Sequence, residues 1–382
     1  MANIKLGIDR IEQFLYLFEG KKIGLITNPT GVNSQLRSTI DILSEVTNLV
    51  VLFSPEHGVR GDKQAGAKVE PYLDPKTGVK VYSLYGKNKK PTQEMIENID
   101  VFVLDIQDIG SRLYTYIYTM AYAMQSAKEW NKSFIVFDRP NPMGGNIVEG
   151  NLVKAGFTSF IGLYPIPYRH GLTIGELATL FNNEFGIDCD LTVIPMTGWK
   201  RDMDYEQTDL EWILPSPNMP TIETVFAYHA TCFFEGTNIS EGRGTTKPFE
   251  LVGATWLDAE QLANTMNEKE LSGVYFRPAY FTPTFSKHQD QLCKGVQIHI
   301  LDRKKFQALH TGLHLLKEIR AQNQEKFAYS LPYTEKGRSM IDYNTGSDYI
   351  RTHDFDPDKV YKQWREESVC FEWRKRQYHL YN

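Results

Sequence analysis

Val101-Phe-Val-Leu-Asp-Ile-Gln-Asp108 decides the fold, because four apolar residues run without a break into a polar cluster. Three other apolar runs of the first half also end in polar clusters, at residues 23–26, 49–53 and 134–137. Short apolar runs separated by helical stretches are typical of parallel strands that are buried on both faces. Ligands of such sheets bind in the crevice beyond the carboxyl ends of the strands. We therefore expect the four polar clusters to face one pocket.

The first half alternates strands with helices, which predicts a Rossmann-like, mostly parallel, three-layer α/β domain. The predicted strands are residues 22–27, 49–53, 79–84, 101–106, 133–138 and 190–195. The predicted helices are residues 35–46, 92–98, 113–129 and 173–185. Thr173 with Glu176 three residues later has the arrangement of a capping box, which marks the start of the last of these helices.

This alternation fails between Trp199 and Pro220, where three prolines interrupt the chain. We place the domain junction here, since a single core stops growing at roughly 250 to 300 residues. A Rossmann-like catalytic domain is predicted over residues 1–210 and a smaller α+β domain over residues 211–382, with the active-site cleft between them. In the second domain, strands are predicted at residues 224–230, 273–281 and 296–301, and helices at residues 258–267, 303–322 and 357–378.

Composition excludes several classes of partner. The formal net charge of -5 offers no basic face for nucleic acid. The four cysteines are far apart and form no C-x-x-C pair, so neither a zinc nor a redox motif is indicated. No run reaches the ~20 apolar residues of a membrane span, and the first residues lack the apolar core of a signal peptide. The compartment stays open, either cytoplasmic or periplasmic or secreted with a leader removed, and so does the oligomeric state.

Glu56 is the first candidate for chemistry, because it follows a proline that directly follows a predicted strand. Its side chain is expected to project from a rigid turn into the crevice. Partial removal from water would raise the pKa of this carboxyl group from ~4.3 toward ~6, which suits a general acid near neutral pH. The alternative is a structural carboxylate that caps the following backbone.

Other carboxylates lie near the predicted strand ends and in the second half: Asp105, Asp108, Asp138, Glu149, Glu235 and Glu241. Hydrolysis of an acetal needs two such groups, one to protonate the leaving oxygen and one to supply or position a nucleophile. Arginines alternate with these acids along the chain: Arg60, Arg112, Arg139, Arg169 and Arg243. Guanidinium groups bind carboxylates through two parallel hydrogen bonds, so several in one cleft predict an anionic ligand.

No glycine cluster matches a nucleotide-binding motif, so no cofactor is predicted despite the Rossmann-like alternation. Residues 236–246 instead have the composition of a tight loop that leans across the cleft and presents Asn238, Glu241 and Arg243. His57 and His170 have no third histidine at ligand spacing, so no metal site is predicted.

A serine-type esterase is an alternative enzyme class, since Ser54, Ser111 and Ser216 lie near the predicted site and His57 or His170 could act as base. However, the chain has no G-x-S-x-G nucleophile elbow, which weighs against this chemistry. Tyr114, Tyr116 and Tyr118 alternate along the chain and offer faces for a sugar ring, although most such rings pack in cores.

Six motifs, in this order, resemble the bacterial exo-β-N-acetylmuramidases of the NamZ type, from about Ile23 to the carboxyl terminus. They are Phe53-Ser-Pro-Glu-His-Gly-Val-Arg-Gly61, Asp105-Ile-Gln-Asp-Ile-Gly-Ser-Arg112 with Tyr114-Thr-Tyr116, Asp138-Arg-Pro-Asn-Pro142 with Val148-Glu-Gly150, Arg169-His-Gly171, Pro215-Ser-Pro-Asn-Met-Pro220 and Gly236-Thr-Asn-Ile-Ser-Glu-Gly-Arg-Gly244. The resemblance implies a Rossmann-like domain joined to a smaller one, with the site between them. It implies release of single N-acetylmuramic acid residues from the non-reducing ends of peptidoglycan fragments.

The family's Ser-Pro-Glu-His-Gly glutamate falls on Glu56, which the resemblance implies to be catalytic. Its partner is sought among Glu149, Glu241 and Asp108. Substrate binding is assigned to polar residues of the same motifs: His57, Asp108, Arg112, Tyr114, Arg139, Asn141, Arg169, His170, Asn218, Asn238 and Arg243.

The charge pattern suits this substrate. Muramic acid carries a lactyl carboxylate that needs an arginine, an acetamido group that needs a polar pair, and a ring that needs an aromatic wall. Asn218 or Asn238 would serve the acetamido group. A protein that binds or senses wall fragments without turning them over is the non-enzymatic alternative.

Overall fold

The structure, a computed structural model, describes residues 4–55, 58–60, 70–86, 88–332, 334 and 337–382. Within these residues the largest element is a seven-stranded sheet with the order β3-β4-β2-β1-β5-β6-β7. Its strands are β1 (Lys22–Thr27), β2 (Asn48–Ser54), β3 (Tyr72–Leu73), β4 (Lys80–Ser83), β5 (Val101–Asp105), β6 (Ser133–Phe137) and β7 (Asp190–Ile194). Neighbouring strands are parallel except for the short edge strand β3, which runs antiparallel to β4.

The central strands are buried on both faces, as parallel strands between helical layers must be. The helices of this half are α1 (Thr39–Val46), α2 (Gln93–Ile96), α3 (Tyr116–Glu129) and α4 (Ile174–Glu184). The predicted capping box is present, since Thr173 accepts from the Glu176 amide and Glu176 accepts from the Thr173 amide. The predicted mostly parallel α/β fold is thereby confirmed.

The second half contains a smaller antiparallel sheet with the order β8-β10-β9. Its strands are β8 (Leu251–Ala254), β9 (Val274–Phe281) and β10 (Cys293–Ile300). Its helices are α5 (Ile222–Thr231), α6 (Ala259–Glu268), α7 (Ala308–Gln322), α8 (Met340–Thr345), α9 (Tyr349–Thr352) and α10 (Pro357–Arg374). No helix in the described part of the chain is long and apolar enough to cross a membrane.

The strand predicted at residues 224–230 is wrong, because this segment lies in helix α5. Thr221 caps the helix by accepting a hydrogen bond from the Thr224 amide. Residues 224–231 are all buried, so no polar face marks the helical period. An apolar segment buried on all sides cannot be assigned to strand or helix from periodicity alone.

The two halves share a core. Ile109, Leu113 and Tyr168 of the first half belong to the same apolar cluster as Phe233 and Leu313 of the second. This shared packing holds the two halves in contact, so the walls of a cleft between them are held at a set distance by the same core. The division at residue 210 stays a prediction.

An ion pair at the carboxyl ends of β5 and β6 holds three loops together. Arg139 donates to both carboxylate oxygens of Asp105, from Nε at 2.5 Å and from Nη2 at 2.9 Å, and both side chains are buried. The same guanidinium donates to the carbonyl oxygen of Val32, and Thr39 donates to Asp105. The pair thus connects the segment after β1 to the ends of β5 and β6.

Lys375, directly after α10, fixes the end of the chain to the first half. Its Nζ donates to the carbonyl oxygens of Gly145 at 2.5 Å and Gly171 at 2.8 Å, and the residue is buried. Burial and, to a smaller extent, the nearby positive charge of Arg201 lower the pKa of this amine to about 7.

We predict that Arg139→Met lowers the free energy of unfolding by about 3–5 kcal/mol, because it leaves the Asp105 carboxylate buried without its counter-charge. The control is Lys90→Met, which breaks the exposed pair with Glu129 and should cost at most about 1 kcal/mol. Urea unfolding at pH 7 measures both. Equal effects of the two substitutions would contradict the structural role given to Arg139.

We predict that stability rises with pH above 7 because of Lys375. Between pH 7 and the ordinary lysine pKa, the unfolded chain holds a proton on this amine that the folded chain has released. The free energy of unfolding should therefore increase by up to about 1.4 kcal/mol per pH unit in this window. Lys375→Met should remove that increase, whereas Lys359→Met, at an exposed position on α10, should keep it. Urea unfolding at pH 7, 8 and 9 tests this, and parallel curves for Lys375→Met and the unsubstituted protein would refute it.

Candidate active site

A cavity of ≈ 280 Å³ lies between the two halves. Tyr85 reaches it from just beyond β4, and residues 113–116 reach it from the segment after β5. The second half supplies the opposite wall, which includes Ser216, Asn218 and Glu235. The cavity therefore lies beyond the carboxyl ends of parallel strands, where α/β sheets bind their ligands.

Aromatic side chains form much of its wall: Tyr85, Tyr114, Tyr116, Phe160, Tyr228 and Phe249. Tyr114 packs edge-on against Tyr116, with ring centroids 4.9 Å apart, and against Tyr228 at 6.2 Å. The Tyr116 hydroxyl donates to the carbonyl oxygen of Pro215. This bond holds the start of the proline-rich segment at residues 215–220 against α3, so that Ser216 and Asn218 line the cavity.

A cluster of two acids and two bases reaches the same cavity through Glu235 and Arg243. Arg243 Nη2 lies 2.5 Å from Glu235 Oε1, and Arg243 Nε lies 3.3 Å from Glu241 Oε1. Lys287 Nζ lies 2.8 Å from Glu241 Oε2, so the buried Glu241 is held by two cations. Burial alone would lower the pKa of Arg243, but the two carboxylates outweigh it and raise that pKa. Glu235 and Arg243 line the cavity, whereas Glu241 does not.

Of the residues assigned to substrate binding from sequence, Tyr114, Asn218 and Arg243 line this cavity. Three other residues that the sequence singled out also line it: Tyr116, Ser216 and Glu235. Glu56 and His57 lie outside the described residues. They follow β2, which ends at Ser54, and the described residues on either side, Pro55 and Gly58, are buried.

Asp108, His170 and Asn141 form a buried polar group beside the segment after β5. Asp108 Oδ2 accepts from the Gly110 amide at 2.7 Å and lies 3.5 Å from His170 Nε2. Asn141 donates to the carbonyl oxygen of Leu172 at 2.9 Å and accepts from the Met143 amide at 3.0 Å. Burial raises the pKa of Tyr114 well above its ordinary value, and the neighbouring Tyr116 and Asp108 contribute to this rise. The effect of Asp108 links this polar group to the cavity wall.

Arg112 is fully buried and is bonded to the main chain of both halves. Its guanidinium donates to the carbonyl oxygens of Ile166 at 3.1 Å and Asn344 at 3.2 Å. Arg112 is not one of the described residues that line the cavity. Its guanidinium instead hydrogen-bonds to carbonyl groups of both halves.

Glu149 and Arg169 are paired through their main chains, and both side chains are buried. The Glu149 carboxylate accepts from the Leu309 amide at 2.9 Å and so caps the amino end of α7. Burial raises the pKa of Glu149 and lowers that of Arg169 to about 10. Arg169 lines a separate cavity of ≈ 230 Å³.

The two remaining predicted residues also make architectural contacts. Asn238 donates to the carbonyl oxygen of Lys326 at 2.7 Å and accepts from the Ala328 amide at 3.0 Å. Arg139 forms the ion pair with Asp105 described above. The substrate-binding roles given to these residues stay predictions.

Sequence reasoning passed over several aromatic residues of the wall: Tyr85, Phe160, Tyr228 and Phe249. Tyr85 could have been found, because it follows a predicted strand as the polar clusters do. The other three come from segments with no strand-end signal, and only the packing of the two halves brings them together.

These features define a two-part α/β protein whose small-molecule cavity lies at the carboxyl edge of a mostly parallel sheet and carries a carboxylate and a guanidinium. Two family models cover nearly the whole chain. One, described as "Exo-beta-N-acetylmuramidase NamZ, N-terminal", matches residues 23–223, and its C-terminal counterpart matches residues 226–381. The chain belongs to the NamZ family of exo-β-N-acetylmuramidases.

One similar protein is the "Peptidoglycan beta-N-acetylmuramidase NamZ" of Bacillus subtilis (strain 168), which is 56% identical over 353 residues. The match covers 92% of this chain and 84% of that protein. Two crystal structures of DUF1343 family proteins from Bacteroides fragilis NCTC 9343 are also similar. One has a TM-score of 0.91 and 42% identity, with 100% of both chains covered. The other has a TM-score of 0.80 and 29% identity, covering 100% of this chain and 99% of that one.

Proposed function

We propose that this protein is a glycoside hydrolase that releases N-acetylmuramic acid from the non-reducing ends of peptidoglycan fragments. Family membership and the muramidase from Bacillus subtilis support this class of reaction. The observation that carries the proposal is the aromatic-walled cavity that holds Glu235 and Arg243 at the carboxyl edge of the sheet.

The lining suits a single amino sugar. Aromatic rings provide flat apolar walls for a pyranose, and a few placed polar groups then fix its orientation. We assign the acetamido group to Asn218 and the lactyl carboxylate to Arg243. Arg243 contacts Glu235 and Glu241 through Nη2 and Nε, which leaves Nη1 outside these two ion pairs.

The proposed reaction begins with Glu56, which donates a proton to the glycosidic oxygen as the bond between this oxygen and the anomeric carbon breaks. Water then adds to the oxocarbenium-like anomeric carbon and passes a proton to a carboxylate, which completes the hydrolysis. While it develops, this positive centre needs a negative partner. We assign this role to Glu235, because its carboxylate lines the cavity and is already held by Arg243. The substrate's own acetamido oxygen is the alternative partner. The earlier candidates for this role, Asp108, Glu149 and Glu241, stay predictions.

The serine-type alternative is less well supported. Ser216 lines the cavity, but no histidine does among the described lining residues. His170 is fully buried, and its Nδ1 accepts from the Leu172 amide. Among the described lining residues, Ser216 therefore has no histidine to act as its general base.

We predict that Glu56→Gln lowers kcat on a chromogenic β-N-acetylmuraminide by about 10²–10⁴-fold, because the amide cannot protonate the leaving oxygen. The thermal midpoint should stay within about 1 °C of the unsubstituted protein, because the substitution exchanges a carboxyl group for an amide of nearly the same volume. Glu45→Gln, on an exposed pair with Arg37, is the matched control and should keep full turnover.

Calorimetry with the same compound separates catalysis from sensing. Heat of binding without released sugar from the unsubstituted protein would favour a binding or sensing protein. Full turnover by Glu56→Gln would remove Glu56 from the mechanism while leaving the muramidase activity in place.

We predict that Glu235→Gln lowers kcat by at least about 100-fold while changing KM little, because the amide keeps its contact with Arg243 but loses the charge. The control is Glu223→Gln on α5, which weakens an exposed ion pair between Glu223 and Arg303. It should leave kcat and KM unchanged. If kcat of Glu235→Gln stays normal, the acetamido group or another carboxylate must stabilise the transition state.

A further inference from the structure

Two histidines and an aspartate outside the cavity bring three ligand atoms together. His310 and His314 lie one turn apart on α7, and Asp358 is the second residue of α10. His310 Nε2 lies 2.8 Å from Asp358 Oδ1, His314 Nε2 lies 3.3 Å from the same oxygen, and the two Nε2 atoms are 3.1 Å apart. The three atoms therefore form a nearly regular triangle.

Hydrogen bonds alone do not satisfy this triangle. An ionised carboxylate only accepts, so both Nε2 atoms must donate to Asp358. The two Nε2 atoms would then face each other as donor against donor at 3.1 Å. If either ring instead accepts at Nε2, its lone pair faces the carboxylate oxygen. A cation in front of the triangle matches all three atoms, because it takes a lone pair from each.

The spacing suits zinc or a similar ion. Tetrahedral zinc holds nitrogen and oxygen ligands at about 2.0–2.2 Å, which places neighbouring ligand atoms roughly 3.3–3.6 Å apart. The observed edges of 2.8, 3.1 and 3.3 Å need to widen by only a few tenths of an ångström. Two imidazoles with one carboxylate are a donor set for zinc and its transition-metal neighbours, whereas calcium and magnesium prefer oxygen alone.

We propose that His310, His314 and Asp358 bind one divalent transition-metal ion of the zinc class, which clamps α7 to α10. Asp358 is largely exposed, so water completes the coordination. None of the three residues lines the catalytic cavity, which makes the role structural. The sequence signal is the i, i+4 spacing of the two histidines, which puts both on one face of a helix.

The surroundings connect this clamp to the rest of the fold. The His310 ring stacks on Tyr361 of α10 with ring centroids 4.6 Å apart. The Tyr361 hydroxyl in turn hydrogen-bonds to the Glu149 carboxylate, which caps α7. Lys269, directly after α6, is the nearby cation, and it pairs with Glu318 of α7 at 2.9 Å. A bound ion would therefore fix the amino end of α7 against the last long helix.

The test uses the full chain, freed of metal with a chelator and then titrated with Zn²⁺ by calorimetry and thermal unfolding. We expect one ion per chain and a higher thermal midpoint with the ion bound. Co²⁺ in place of Zn²⁺ should give the intense visible absorption of a tetrahedral site. Asp358→Asn and His314→Ala should each weaken Zn²⁺ binding by more than about 100-fold, since each removes a direct ligand.

The matched control is Asp354→Asn, because Asp354 is also exposed and also accepts from a side chain of α7, that of Lys317. It should bind Zn²⁺ like the unsubstituted protein. If metal-free Asp358→Asn unfolds at a lower temperature than the metal-free parent, His310→Gln replaces it as the test variant. It should weaken Zn²⁺ binding by the same factor. Absence of stoichiometric binding at micromolar Zn²⁺, or binding that all these variants share, would overturn the proposal. Muraminide turnover is not a readout here, so the outcome is independent of the proposed catalysis.

Discussion

The buried ion pair of Asp105 and Arg139 is the constraint on which the rest of the structure depends. A parallel sheet brings its loops to one edge, but it does not by itself hold those loops in a single arrangement. This pair does so, because one guanidinium satisfies a carboxylate at the end of β5 and a carbonyl oxygen in the segment after β1. Because the pair is buried, any arrangement of the loops that separates the two charges would lower the stability of the fold, since it would leave a buried charge without its partner.

A second layer of buried titratable side chains joins the two halves. Arg112 binds carbonyl oxygens from both, Glu149 caps α7, and Lys375 fixes the end of the chain to two glycine carbonyls. Charged side chains in polar motifs are thus used as architecture as well as for chemistry. A site that must place reacting groups within fractions of an ångström needs such a supporting layer.

Glu149 also relates the two proposed sites. On one side its main chain pairs with Arg169, next to the polar group of Asp108, His170 and Asn141. On the other side its carboxylate caps α7, the helix that carries His310 and His314. The helix terminus that would carry the metal clamp is accordingly tied to the segment of Glu149 and Arg169, and among the described residues neither lines the catalytic cavity.

The sequence by itself determined the sheet, its parallel direction and the edge at which polar residues collect, because periodicity and strand-end composition are local properties. It also determined the capping box at Thr173 and the motifs of the family. Only the tertiary structure decided which polar residues reach the cavity. Arg112 and Arg243 both lie in polar motifs beside acidic residues, so the sequence does not distinguish them. In the structure, Arg112 donates to main-chain carbonyl groups, whereas Arg243 lines the cavity beside Glu235. Helix α5 and the contact of Asp358 with His310 were hidden for the same reason, since burial and pairing depend on segments far apart in the chain.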